Sequence, residues 1–101
     1  MTYTIDENND ALVVSVQGHL DIKTTPVLEA ALKGKLVGVS DLTCDFAGVD
    51  YVSSSGLRLL VALQKRMFKQ GEMRVVNVNE DVMQLLVDTG LAEIFSVSAA
   101  G

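Results

Sequence analysis

Short strand-like runs alternate with segments of helical spacing along this chain, and that alternation limits its fold more than any other feature. Tyr3 and Ile5 start a short strand, and Asn8-Asn9-Asp10 reads as a turn. The valine-rich run Ala11–Gln17 is a second strand paired with the first, with Gly18 ending it. Thr24-Thr25-Pro26 opens a helix, because proline suits the first helical position. Val27, Leu28, Ala31 and Leu32 recur at helical spacing, and the helix is expected to finish near Gly34 to Gly38. Asp41–Phe46 is the third strand. Leu57, Leu60, Val61 and Met67-Phe68, widened by Leu59 and Leu63, mark a second helix that ends at Gln70-Gly71-Glu72. Its apolar breadth implies cover on both sides. Met73–Val78 is a strand, and Asn79 caps a short helix with Glu80 and Asp81 in its first turn and Val82, Leu85 and Leu86 on its buried face. Gly90-Leu91 resembles a left-handed helix cap, Ile94–Val97 is a last strand, and the tail Ser-Ala-Ala-Gly is expected to be loose. The order β-β-α-β-α-β-α-β implies an α/β fold on a mixed, mostly parallel sheet.

The 101 residues, 49% of them hydrophobic, suit one domain, 1–101, with one modest core. The net charge is −5 and the basic residues are scattered, which argues against a nucleic-acid partner. Lys65, Arg66 and Lys69 fall late in the second helix, where cations complement the dipole. The single cysteine, Cys44, alternates with Leu42 and Phe46 and reads as a buried strand residue without an electropositive neighbour to activate it. The polar start of the chain does not resemble a signal peptide, and no apolar run approaches the roughly 20 residues that cross a bilayer. The expectation is a cytoplasmic protein with no membrane insertion.

The segment Thr43–Arg58, T-C-D-F-A-G-V-D-Y-V-S-S-S-G-L-R, carries the chemistry. It brings three hydroxyls to a helix N-terminus, where backbone N–H groups are unpaired and the dipole favours negative charge. Such a place can bind a phosphate, can carry one covalently on a serine, or can simply be capped by the serines.

The stretch D-F-A-G-V-D-Y-V-S-S-S-G-L resembles the signature of the STAS domain of bacterial anti-sigma factor antagonists. The upstream G-H-L-D, Gly18 to Asp21, resembles the family's G-x-L-D, and the downstream V-N-V-N-E-D-V-M-Q-L-L-V-D-T-G-L-A-E-I-F resembles its usual ending. The resemblance spans nearly the whole chain. It implies a small sheet with helices mainly on one face, and an Asp21 loop near the Ser53–Leu57 helix start. It implies a protein-binding module that sequesters an anti-sigma factor with serine kinase activity and is released when Ser54 is phosphorylated. A serine phosphatase would reset the switch. ATP and magnesium would belong to the kinase, so the chain itself needs no cofactor. Asp21, Ser53, Ser55, Gly56 and Leu57 are the implied partner or kinase contacts. Ser53 stands where many members carry aspartate, which makes Ser53 and Ser55 rival acceptors. Many relatives also continue into a C-terminal helix, so a minimal version of the domain is expected.

Each residue also has a plainer role. Ser53 suits an N-cap. Ser55 suits packing in the first turn, Gly56 a close backbone approach, and Asp21 the cap of a turn. His19, the only histidine, is expected to be a solvated loop residue with no dyad or metal site around it. An enzyme is not expected, since the G-x-S-x-G elbow and a phosphate-binding glycine loop are both missing. The alternative within the same fold is a STAS-type structural subunit of a membrane transport complex or larger signalling assembly.

Overall fold

The computed structural model describes residues 1–100. Strand β1 (Thr2–Asn8) forms a hairpin with β2 (Ala11–Leu20), and helix α1 (Thr25–Leu32) leads on to β3 (Asp41–Val52). Helix α2 (Ser54–Phe68) leads to β4 (Glu72–Val78). Helix α3 (Glu80–Asp88), followed by a 3-10 turn at Leu91–Glu93, leads to β5 (Ser96–Ala99). The strands pair in chain order, β1 antiparallel to β2 and every later pair parallel. Right-handed crossovers between successive neighbours lay all three helices on the same face, because the strand order never reverses. For the same reason the sheet has no topological switch point, the place where doubly wound folds hold ligands.

The core follows from period two in the strands and 3.6 in the helices. Leu12, Val14 and Val16 of β2, Leu42, Cys44 and Phe46 of β3, and Met73 and Val75 of β4 face the helices. They pack on Leu28 and Leu32 of α1, on Leu59, Leu60, Leu63 and Met67 of α2, and on Val82 and Leu86 of α3. Burying each such leucine or valine contributes about 1.5–3 kcal/mol. The alternate strand residues, among them Val13, Ser15, Thr43, Asp45 and Arg74, are half-exposed on the open face. There Arg74 pairs with Asp41 and Glu72, and Asn77 donates to Asp45. Burial pushes the Cys44 thiol up to about 12, in keeping with an inert core residue.

Several expectations need correction. Gly18 does not end β2: it takes φ +94 inside the strand, with register shifts on either side, and pairing with β3 continues to Leu20. A glycine within a strand pattern marks a bulge as readily as an end. Accordingly β3 runs past Phe46 to Val52. Gly48 permits this, since a Cβ there would lie 2.5 Å from Gln17 Cγ. Helix α2 is covered on one side only: Phe68 is 81% exposed and Ala62, Lys65 and Arg66 face solvent, because only one layer of helices lies on the sheet. Helix α1 stops at Leu32, and β5 begins at Ser96, because Ile94 closes the 3-10 turn instead. Ser98 and Ala99 are therefore in a strand, while Gly101 lies outside the described residues. Asn79 caps α3 through a 2.8 Å bond from the Val82 N–H, and Gly90 has the left-handed φ of +80.

The sharpest backbone approach lies at the other end of the sheet from the serines. A Cβ on Gly71 would fall 2.0 Å from the Ser40 carbonyl oxygen, which accepts the Glu72 N–H at 2.9 Å. Gly71→Ala is expected to lower the free energy of unfolding by roughly 1–3 kcal/mol, read as a lower urea midpoint at unchanged slope. An unchanged midpoint would show that the turn relaxes freely.

Candidate functional site

Strands β2 and β3 outrun the rest of the sheet. Pairing of β3 with β4 ends at Asp45↔Val76, whereas pairing of β2 with β3 continues through Gly18↔Val49 and His19↔Tyr51 to Leu20↔Val52. The two strands therefore end level, and the next residues, Asp21 and Ser53, emerge side by side. The Ser53 N–H extends the ladder by donating to the Leu20 carbonyl at 2.8 Å. Gly56 seals the join: a Cβ there would lie 2.8 Å from Val52 Cγ1 and 3.0 Å from the Leu20 oxygen. The expected proximity of the Asp21 loop and the Ser53–Leu57 helix start is thus present.

The three serines occupy different environments. Ser53 has extended backbone and is the N-cap of α2, its Oγ accepting from the Gly56 N–H at 3.4 Å. Ser55 is half-buried and its Oγ accepts from Arg58 Nη2 at 3.4 Å. Ser54, the first residue of the helix, is exposed, and its Oγ has no hydrogen-bond partner among the described residues. Leu57 is half-buried and packs on the edge of the core. No acidic side chain lies in the first turn of α2. The free N–H groups there favour an anion without opposition from the helix itself.

Asp21 caps its own loop. Its carboxylate accepts from the Lys23 N–H at 2.9 Å, the Thr24 N–H at 3.0 Å and Thr24 Oγ1 at 3.2 Å. Thr24 Oγ1 also lies 2.7 Å from the His19 carbonyl and receives the Asp21 N–H at 2.9 Å. The two backbone N–H bonds, from Thr24 and then Lys23, hold the Asp21 carboxyl below the usual aspartate range. The group is charged at neutral pH, and its half-exposed position keeps it accessible.

His19 is a strand residue, not a loop residue, and it has a partner. Its Nδ1 lies 2.5 Å from Asp50 Oδ1, both side chains being about 60% exposed, and its ring meets Tyr51 edge-on with centroids 5.8 Å apart. No hydrogen bond joins His19 to Ser53, Ser54 or Ser55 among the described residues. The imidazole is therefore not placed as a base for any of them.

Helix α3 completes the surroundings. Asn79 Nδ2 donates to the Val49 carbonyl at 3.2 Å, tying the start of α3 to the β3 extension. The result is a shallow groove of about 460 Å³ beside the serines, with Tyr51, Leu57, Val82 and Leu85 as its apolar surface and Asp50 and Asp81 at its margin. Ser53 and Ser54 form one wall. Asp50, Tyr51, Asp81 and Leu85 are contributors that sequence reasoning missed. They come from two elements, brought together by core packing of α3 on β3 and by the bond from Asn79 to Val49. No group of three metal-ligating side chains converges among the described residues. None of the described helices is long and apolar enough to cross a membrane.

Comparison with known proteins agrees with this geometry. A family model described as the STAS domain matches residues 2–100. The anti-sigma-B factor antagonist of Bacillus subtilis is 30% identical over 96 residues, covering 94% of this chain and 88% of that protein. The protein of the same name from Staphylococcus epidermidis is 31% identical over 93 residues, covering 90% and 86%. The crystal structure of an anti-sigma factor antagonist from Mycobacterium paratuberculosis superposes with a TM-score of 0.84 at 28% identity, covering 96% of this chain and 84% of that one. The match of sequence, fold and helix-start geometry over nearly the whole length places this chain in the STAS domain family.

Proposed function

We propose that this chain is an anti-sigma factor antagonist whose binding is controlled by phosphorylation of Ser54. Unmodified, it binds an anti-sigma factor that is also a serine kinase, and so frees a sigma factor. Phosphorylation ends the complex, and a serine phosphatase restores it. The observation that carries this reading is the division of labour among the serines. One hydroxyl caps the helix, one receives Arg58, and Ser54 alone stands exposed without a partner. The named relatives, all anti-sigma factor antagonists, support the class of partner.

The chemistry needs little from this chain. Ser54 Oγ attacks the γ-phosphorus of ATP, which the partner supplies with its magnesium. The Oγ–phosphorus bond forms as the bond from that phosphorus to the β,γ-bridging oxygen breaks. ADP leaves, and the hydroxyl proton passes to a base on the kinase. The α2 N-terminus then favours the new anion. The added tetrahedral group, with a charge of about −1.5 to −2, must be stripped of water and accommodated if the partner is to stay. It sits beside a groove already edged by Asp50 and Asp81. The complex is weakened at its surface, while the fold beneath is untouched. In this reading the chain is a binding module rather than an enzyme, it acts in the cytoplasm where the kinase finds ATP, and it carries no cofactor of its own.

Ser54→Ala is expected to bind the anti-sigma factor whether or not ATP is present. Ser54→Asp is expected to bind at least about tenfold more weakly, or roughly 1.4 kcal/mol. Isothermal titration with the purified partner decides; equal affinities for the two variants would sink the proposal. Peptide mapping of the protein incubated with kinase and ATP should place the phosphate on Ser54 rather than Ser53 or Ser55.

Asp21 is proposed as a partner contact as well as a turn cap. Asparagine can still accept the loop N–H bonds, so Asp21→Asn separates the two roles. Partner affinity is expected to fall by about three- to tenfold, on the scale of an interface charge, with little change in thermal midpoint. Loss of stability without loss of affinity would leave the turn as its only role. The depressed carboxyl stabilises the fold above the ordinary aspartate value of about 4, and that contribution fades as pH falls through the lower native value. A carboxyl NMR titration should show the Asp21 midpoint below those of exposed aspartates.

A further inference from the structure

The site that would receive a phosphate contains one cation poised to meet it. Arg58 is the only basic residue between Lys35 and Lys65. It lies one turn beyond Ser54, at the i+4 position, where side chains on one helix face are neighbours. Helical side chains lean toward the N-terminus, so a long residue at i+4 covers the turn before it. Arg58 does this: the side chain is exposed, and its Nη2 reaches back to Ser55 Oγ at 3.4 Å. That bond is long and joins a neutral acceptor, so it holds the guanidinium weakly. The other charges around Ser54 are mostly of the wrong sign for a phosphate. Asp50, paired with His19, and Asp81 border the groove, and Asp21 lies in the adjoining loop with Lys23 as the other nearby cation.

We infer that Arg58 is the positioning residue for the phosphorylated state: on modification of Ser54 its guanidinium leaves Ser55 and pairs with the phosphate. A dianionic acceptor with three oxygens outcompetes a hydroxyl for a planar, multiply donating cation. The exchange draws the phosphate toward the second turn of α2, from which the Arg58 side chain rises. It also withdraws Arg58 from the margin of a second groove, between α2 and α3, where it stands with Leu57, Val61, Lys65 and Leu91. Phosphorylation therefore changes two patches of the surface, one by adding a charge and one by moving a charge.

This inference rests on Ser54 as the acceptor, and its test separates the two. Phosphoserine is installed at position 54 during translation, in the full chain and in Arg58→Gln, Arg58→Lys and Lys23→Gln. The second ionisation of the phosphate is followed by phosphorus NMR. Pairing with Arg58 favours the dianion, so its pKa should be lower with Arg58 than in Arg58→Gln by roughly 0.3–0.7 of a pH unit. Arg58→Lys should retain part of the shift and Lys23→Gln all of it. The unmodified Arg58→Gln protein should melt within a degree or two of the parent, as an exposed side chain requires. The same phosphate pKa with and without Arg58 overturns the inference, as does a shift that disappears in Lys23→Gln instead. Because no kinase is used, neither result depends on whether a partner modifies Ser54, which the binding and mapping experiments above decide separately.

Discussion

The parallel register of β2 with β3 is the constraint on which the site depends. Had the ladder stopped at Asp45, where β4 leaves β3, Asp21 and Ser53 would have entered separate loops. Pairing on to Leu20↔Val52 makes the two strand ends level, and the bond from the Ser53 N–H to the Leu20 carbonyl fixes the N-cap of α2 against the second strand. Two glycines permit this. Gly18 lets β2 bulge with positive φ, and Gly56 lets the first turn of α2 rest on Leu20 and Val52 at distances that a Cβ would crowd. The position of Ser54 is thus determined by backbone pairing between segments more than thirty residues apart, and by no hydrogen bond of its own hydroxyl among the described residues.

That independence suits a switch. A residue whose hydroxyl caps the helix cannot be modified without replacing that cap. Here the cap belongs to Ser53 and the Ser54 hydroxyl is free. Modification can alter the surface at little cost to the fold, and the dipole of α2 offsets part of the added charge. The sheet supports the same division. Its strand order leaves no switch-point crevice, and the groove at the ends of β2 and β3 is shallow. What it offers a partner is a helix start, a shallow groove and a loop.

Much of this was legible in the sequence, and what was not has specific causes. Alternating periods of two and near four gave the element order, and Asn79 and Gly90 acted as the caps their residue types suggest. Gly18 misled because a glycine in a valine-rich run signals an end and a bulge alike. Once β2 was cut short, His19 fell into a supposed loop and its partner Asp50, 31 residues away, became invisible. The apolar breadth of α2 suggested cover on both sides, yet Phe68 lies in solvent, because hydrophobicity alone does not report how many layers a sheet carries. The groove margins, Asp81 and Leu85, depend on where Asn79 anchors α3, a long-range bond that no local pattern encodes.

Ser53 bears on the electrostatics of the proposed switch. An aspartate at the N-cap would satisfy the Gly56 N–H equally well and gain from the dipole. It would also place a fixed negative charge one residue from the acceptor, in a region where Asp21, Asp50 and Asp81 already supply three and Arg58 is the one helix cation in reach. Serine caps through a neutral oxygen and leaves that charge out. Like charges a few ångströms apart at a protein surface repel by a kcal/mol or more at an effective dielectric near 20. A neutral cap therefore makes the phosphorylated state less costly and leaves Arg58 to one anion instead of dividing it between two. In the proposed switch the contrast between the two states of Ser54 is then carried by the phosphate itself, from an uncharged helix start to one bearing about −1.5 to −2.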